Sequence, residues 1–107
     1  MPKWTIEVSA EVEKWLGSLN DSDFRIADRH LQNLAEHGVD LGMPRSKNLG
    51  QGLYELRFQC ERVERRITYT FDPGRQVITL TTFRKQRNNE RKQISRARQQ
   101  LRKWRTK

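Results

Sequence analysis

Three consecutive runs of β-type sequence, joined by very short links, constrain the fold of this chain more than any other feature. The runs cover residues 53–60, 65–71 and 77–83, and they are rich in β-branched and aromatic residues. A strong turn signal, Asp72-Pro73-Gly74, separates the second run from the third. Because links this short join antiparallel neighbours, the sequence predicts an antiparallel meander of three strands.

Side chains alternate in character along the first two runs, so each predicted strand has two different faces. The apolar face carries Tyr54, Leu56, Phe58, Cys60, Ile67, Tyr69 and Phe71. The opposite face carries Glu55, Arg57, Arg66, Thr68 and Thr70. We therefore expect helices to cover the apolar face, and we expect the polar face to stay open to solvent or to a ligand.

Apolar residues recur at helical spacing in three further places. These are Val12, Trp15, Leu16 and Leu19, then Phe24, Ala27, Leu31 and Leu34, and finally Ile94, Ala97, Leu101 and Trp104. Residues 3–8 are predicted to form a short first strand, and the glycine-bearing residues 38–52 a loop. The prediction is one α+β domain over residues 1–107. It has an N-terminal strand and helix hairpin, an antiparallel sheet of about four strands and a C-terminal basic helix.

Positive charge is concentrated at one end of the chain. The formal net charge is +9, and residues 84–107 alone contain 11 Lys or Arg and a single acid, Glu90. The preceding 83 residues contain 11 bases and 12 acids and are almost neutral. Such a segment attracts polyanions, with nucleic acid as the first candidate. A solvated basic tail, or a face that binds an acidic protein, remains an alternative.

Several classes of protein are excluded by what the sequence lacks. No apolar run is long enough for a transmembrane helix, and the N-terminus lacks the apolar core of a secretory signal. Nucleotide-binding glycine loops, HExxH and GxSxG are absent, and His30 and His37 lie two helical turns apart, which is far for one metal. A single cysteine, Cys60, favours a reducing cytoplasm. We expect neither a metal nor a cofactor.

The polar face of the predicted sheet is the best candidate for a functional site. Arg57 and Arg66 lie on neighbouring strands and point the same way as Glu55, which brings the three within several ångströms of one another. Guanidinium groups bind phosphate bidentately and stabilise charge on a phosphoryl transition state. Ordinary salt bridges on a solvated sheet are the alternative interpretation. Further bases that can reach this face are Lys47, Arg84 and Lys85.

Three short motifs occur in a particular order along the chain. Residues 47–57, KNLGQGLYELR, match the pattern (K)xLxxGLWELR, and Arg66-Ile67-Thr68-Tyr69 matches RxxY. Phe83-Arg84-Lys85, followed by a polar run and a helix with Ile94 and Ala97, matches hGFxKK…EIxxA. With these motifs the chain resembles the RelE/ParE superfamily of bacterial toxins, most closely the HigB branch, also called phage-derived Gp49-like proteins.

The resemblance implies a RelE-like fold and an mRNA interferase, a metal-independent endoribonuclease that commonly acts on the ribosome. It implies a cognate antitoxin, usually with a helix-turn-helix domain. Catalytic positions would be Glu55, Arg57, Arg66, Arg84 and Lys85, with RNA held by Lys47, Arg87, Arg91 and Lys92. Many relatives carry a histidine where this chain has Thr81, which cannot transfer protons near neutral pH. Two alternatives are a ParE-like gyrase poison without nuclease activity and a basic RNA-binding module.

Overall fold

A computed structural model describes residues 3–106 of the chain. Five strands and three α-helices are present, and a short 3₁₀ turn, Gly38–Asp40, follows the second helix. The strands are β1 (Thr5–Glu7), β2 (Ser46–Gly50), β3 (Leu53–Cys60), β4 (Val63–Asp72) and β5 (Gln76–Arg84). The helices are α1 (Ala10–Gly17), α2 (Asp21–His37) and α3 (Glu90–Arg105). The α+β class agrees with the prediction.

The five strands form one sheet in the order β1-β5-β4-β3-β2. The meander of β3, β4 and β5 is antiparallel as predicted, but β1 pairs with β5 in parallel, so the sheet is mixed. The expected count of about four strands was too low, because β2 lies inside the predicted loop of residues 38–52. Hydrophobic periodicity misses β2, since it is an edge strand in which only Ser46 is buried.

Helices α1 and α2 cover one face of the sheet, as their apolar stripes predict. Ser9 caps α1 and Asn20 caps α2, each through its side chain, and Gly38 ends α2 at a φ of 53° that favours glycine. The first core comprises Val12, Trp15, Ala27, Leu31, Leu34, Leu56, Phe58, Cys60, Ile67, Tyr69 and Val77. The Cys60 thiol is therefore a buried core group. Phe24 departs from the predicted stripe and is exposed, because α2 begins beside Cys60 at the very end of β3.

The opposite face of the sheet is covered as well, which corrects the expectation of an open polar face. Helix α3 packs there through Ala97 and Leu101, with Ile94 and Trp104 at the margin, against Leu53, Ile78 and Leu80 of the sheet. The stripe in α3 was identified from the sequence. The prediction of the face that it covers is wrong, because no local sequence pattern shows on which face of a sheet a helix distant in sequence packs.

Arginines of α3 also bind the turn between β2 and β3. The Arg98 guanidinium donates hydrogen bonds to the carbonyl oxygens of Leu49 and Gly50, at 2.7 and 3.2 Å. Arg105 donates to the carbonyl oxygen of Gln51 at 3.2 Å. Part of the basic segment therefore has a structural role in docking α3 onto the sheet.

None of the three helices is long and apolar enough to cross a membrane, within residues 3–106.

Candidate functional site

Glu55 lies in the middle of β3, opposite Lys47 of β2 on one side and Thr68 of β4 on the other. Its side chain is completely buried, and neither carboxylate oxygen has a hydrogen-bond partner. A buried carboxylate without hydrogen bonds is costly, because it has lost its hydration without full replacement. Glu55 is therefore an unusual group for a structural position.

Two arginines flank this carboxylate, as the strand alternation predicts. Arg57 and Arg66 are directly paired across β3 and β4. Their Nε atoms lie 3.5 and 3.4 Å from Glu55 Oε1, in ion-pair contact but without hydrogen-bond geometry. Like charges directly opposite each other repel, so the shared carboxylate compensates for their proximity. Arg66 also contacts the exposed Glu64 carboxylate, with Nη2 3.3 Å from Oε2.

Opposing influences act on the protonation of Glu55. Burial raises its pKa, and the nearby charge of Glu90 acts in the same direction. Arg66, Arg57 and Lys47 oppose the rise through their positive charges. The net result is a pKa above the ordinary glutamate value, which makes the carboxylate a better proton acceptor near neutral pH.

An open pocket of about 400 Å³ lies over the arginine pair. Arg57, Arg66 and Lys85 line it, as do two residues that the sequence analysis did not select, Arg45 and Glu64. A backbone hydrogen bond holds Lys85 beside Glu64: the Lys85 N–H donates to the Glu64 carbonyl oxygen at 2.8 Å. Arg45 has no distinguishing motif. The only available signal was its place just ahead of the KNLGQGLYELR segment. We call this cavity the arginine pocket.

The remaining predicted site residues lie outside the arginine pocket. Arg84 is exposed, and it pairs with Arg65 across β4 and β5. It is therefore one residue away from the position opposite Arg66. Lys47 is exposed on β2 beside Glu55. The predicted RNA-binding residues of the β5–α3 link and the first turn of α3 are all exposed, namely Arg87, Arg91 and Lys92. The structure therefore brings Glu55 into contact with Arg57 and Arg66, places Lys85 in the pocket that these two arginines line, and leaves Arg84 apart.

Thr81, the position at which the resemblance implies a histidine, does not line the arginine pocket. It is completely buried, and its hydroxyl lies 2.6 Å from the hydroxyl of Thr68 on β4. Thr81 is therefore a buried structural residue of the sheet.

No cluster of three or more His, Cys, Asp or Glu side chains fit to hold a metal ion occurs between residues 3 and 106. Tyr69, which the sequence places on the apolar face of the sheet, is buried and hydrogen-bonded to Ser46, and burial raises its pKa to about 12. Its ring stacks on the half-buried ring of Tyr54 with centroids 5.5 Å apart. These contacts are those of core residues, as the alternation along the strands predicts.

His30 of α2 gives a test of local electrostatics. Its ring stacks on Phe58 at 4.7 Å, and its pKa is lowered by burial first and by the charges of Arg29 and Arg45 second. The unfolded chain therefore binds more protons at His30 as the pH falls below about 6.5. We expect the stabilisation from this ring to be complete above pH 7 and to be lost progressively in acid.

Urea unfolding of wild type and His30→Gln at pH 7.5 and pH 5 measures this effect. The variant should lose less stability between the two pH values than the wild type does. His37→Gln is the matched control, because His37 is exposed at the end of the same helix. An unchanged pH dependence in His30→Gln would show that the ring does not resist protonation in the folded state.

Comparison with known proteins agrees with the motifs. A sequence profile described as phage-derived protein Gp49-like matches residues 14–102. No curated protein sequence matches the chain.

Two solved structures share the fold. A mutant of the E. coli toxin RelE in the free state has a TM-score of 0.63 at 12% identity and covers 92% of this chain and 97% of its own. The toxin-antitoxin complex RelBE2 from Mycobacterium tuberculosis contains a chain with a TM-score of 0.57 at 16% identity, covering 79% of this chain and 100% of its own. The profile spans most of the sequence, so the chain belongs to the phage-derived Gp49-like family, and its fold is that of RelE.

Proposed function

We propose that this protein is the toxin of a type II toxin–antitoxin system, and that it is an endoribonuclease that cleaves mRNA, on the ribosome, without a metal ion. Family membership and the RelE-like fold support the class of protein. Fold alone does not determine an activity, so the argument for cleavage has to rest on the site. One observation carries it: the buried, unbonded carboxylate of Glu55 between two arginines that line an open pocket.

The arginine pocket has the charge needed to bind a phosphodiester. Arg45, Arg57, Arg66 and Lys85 are cationic, and Glu64 is the one acid among the lining residues. A guanidinium group matches two phosphate oxygens at once, and its charge becomes more favourable as negative charge grows on the phosphorus oxygens in the transition state. In this proposal Arg57 and Arg66 bind the scissile phosphate.

Glu55 is the proposed general base. Its contacts with the two Nε atoms lack hydrogen-bond geometry, so no hydrogen bond to Glu55 is broken when the arginines turn toward a phosphate. Their movement uncovers the carboxylate, which then accepts the proton of the ribose 2′-hydroxyl. The 2′-oxygen attacks phosphorus, the bond from phosphorus to the 5′-oxygen breaks, and a 2′,3′-cyclic phosphate remains. Catalytic contacts commonly form only in the substrate complex, so the closed geometry of the free protein is compatible with this role.

The departing 5′-oxygen needs a proton. Lys85 is the proposed group, through a water that it orients, because it lines the same pocket whereas Arg84 does not. Lys47, Arg87, Arg91 and Lys92 are exposed around the site and would hold the RNA backbone on either side. The proposed antitoxin is a protein at least partly acidic, which would neutralise this basic surface, and would usually carry a helix-turn-helix domain.

The test of this proposal is cleavage by the purified wild-type protein of free mRNA in the presence of EDTA, and of mRNA on programmed ribosomes in a buffer that contains Mg²⁺. We expect cleavage at discrete sites and 2′,3′-cyclic phosphate ends on the upstream fragments. A gyrase supercoiling assay runs in parallel. Intact RNA in both reactions would exclude the nuclease, and inhibition of supercoiling alone would identify a gyrase poison instead.

A further inference from the structure

A second open cavity adjoins the arginine pocket on the other face of the sheet. It has a volume of about 420 Å³ and is lined by Arg29, His30, Gln32, Asn33 and Arg45. Arg45 lines both cavities, and it is the residue at which they meet. The two cavities therefore follow one another around the molecule.

The path between them crosses the free part of β3. Strand β2 begins at Ser46, which pairs with Leu56, so the residues from Arg57 onward have no ladder partner on that side. The Arg57 N–H donates to the Arg45 carbonyl oxygen at 2.8 Å, and this bond fixes Arg45 next to the arginine pair. Peptide groups two residues apart on a strand point the same way, so the N–H of the exposed Gln59 faces the same edge.

Helix α2 forms the far wall of the path. Phe58 lines the arginine pocket, while His30, which stacks on Phe58 at an angle of 17° between the rings, lines the second cavity. Arg29 and Arg45 both line the second cavity, so they lie on the same stretch of surface. The continuous path formed by the arginine pocket, Arg45, His30 and Arg29 is called the edge groove below.

The chemistry of the second cavity suits a polyanion with polar groups along it. Its charged side chains are Arg29 and Arg45, and none of its five lining residues is acidic. Gln32 and Asn33 supply amides that both donate and accept hydrogen bonds. Trp and Tyr, which together with Arg are the usual anchors of protein–protein interfaces, are absent from this lining in the described chain. The charge, the amides and the direct continuity with a phosphate-binding pocket together favour single-stranded RNA over a protein partner.

We propose that the edge groove binds the backbone of single-stranded RNA beyond the cleaved phosphate, with Arg29 and Arg45 holding successive phosphates on the α2 side. This inference rests on the proposed nuclease function and extends it. It assigns binding residues to the electrically balanced part of the sequence, although the excess of positive charge lies in the last quarter of the chain. RNA would then pass over the free edge of β3 from one face of the sheet to the other.

The test separates binding from cleavage. Binding of a fluorescent, fully 2′-O-methylated RNA, which lacks the attacking hydroxyl, is measured by anisotropy at several salt concentrations. Each phosphate contact on a single strand contributes about 0.7 to the slope of log K against log[salt]. Arg29→Ser should lower the slope by about 0.7, and Arg29→Ser/Arg45→Ser by about 1.4. Binding weakens when the salt is raised from 50 to 200 mM. Each phosphate contact that a variant lacks should make this fall in affinity about 2.6-fold smaller.

Arg25→Ser is the matched control, because Arg25 is an exposed arginine of the same helix outside both cavities. It should leave the slope unchanged. Cleavage of an unmodified dinucleotide, which fills only the arginine pocket, should proceed at the wild-type rate in Arg29→Ser. A slope in Arg29→Ser equal to that of wild type would overturn the edge groove. Loss of antitoxin binding with RNA binding intact would assign the surface to a protein and overturn it as well.

A failure of the proposed function would give a different experimental result. If the wild type cleaves neither the dinucleotide nor mRNA, the nuclease assignment fails, whereas the salt slopes of the methylated RNA still report on the groove.

Discussion

Replacement of Glu55 by glutamine is expected to lower the rate of RNA cleavage at neutral pH by about 10²–10⁴-fold. Glutamine has nearly the same shape and keeps the polar character of the buried site, but it cannot accept the 2′-hydroxyl proton. The wild-type rate should rise with pH as Glu55 ionises, at a pH above the ordinary glutamate range, because burial raises its pKa. This limb of the pH profile should be missing in Glu55→Gln.

The neighbouring carboxylate provides the matched control for this change. Glu64 lines the arginine pocket and, like Glu55, contacts Arg66, but its side chain is 53% exposed. Glu64→Gln should therefore retain the pH limb and most of the rate. Thermal unfolding and binding of 2′-O-methylated RNA establish that both variants are folded. A Glu55→Gln protein with the wild-type pH profile would show that Glu55 only positions the arginines.

Replacement of Arg66 by alanine is expected to reduce cleavage by about 10²–10³-fold, the usual cost of removing one preorganised donor from a transition-state site. Arg66 is 4% exposed, so its guanidinium is held nearly without water between Glu55 and Glu64. Charge stabilisation is strong in such an environment. The kcat and KM of a short substrate measure the loss, which should lie mainly in kcat.

Alanine at this position also leaves the Glu55 carboxylate with one ion-pair partner fewer, which destabilises a buried charge. Arg66→Lys avoids that problem, since it keeps the charge and removes only the bidentate fork, and it should also cleave RNA poorly. Arg62→Ala is the surface control, because Arg62 is exposed in the turn between β3 and β4. Wild-type rates in both Arg66 variants would remove Arg66 from the mechanism.

Local sequence patterns were sufficient for most of the fold and for the centre of the site. Alternation along β3 and β4, together with a short turn, fixes the register well enough to place Arg57 opposite Arg66 with Glu55 beside them. The caps at Ser9 and Asn20 and the helix end at Gly38 are likewise encoded within a few residues.

Features that depend on long-range packing cannot be predicted from local sequence patterns. Strand β2 has one buried residue, so its sequence has no hydrophobic periodicity that distinguishes it from a loop. The side on which α3 packs depends on contacts with Leu53, Ile78 and Leu80, far from it in sequence. The burial of Glu55 follows from that packing, and the role of Arg45 as a bridge follows from where β2 begins.

The hydrogen bonds from Arg98 and Arg105 to the turn after β2 have a consequence for solubility. Strand β2 is one edge of the sheet, and an edge strand with unpaired carbonyls is a template on which a second copy of the chain can add a strand. Here guanidinium groups occupy the carbonyls of Leu49, Gly50 and Gln51 at the end of that edge. The docked helix thus removes these three acceptors from the end of the edge, and the net positive charge of the chain adds repulsion between copies.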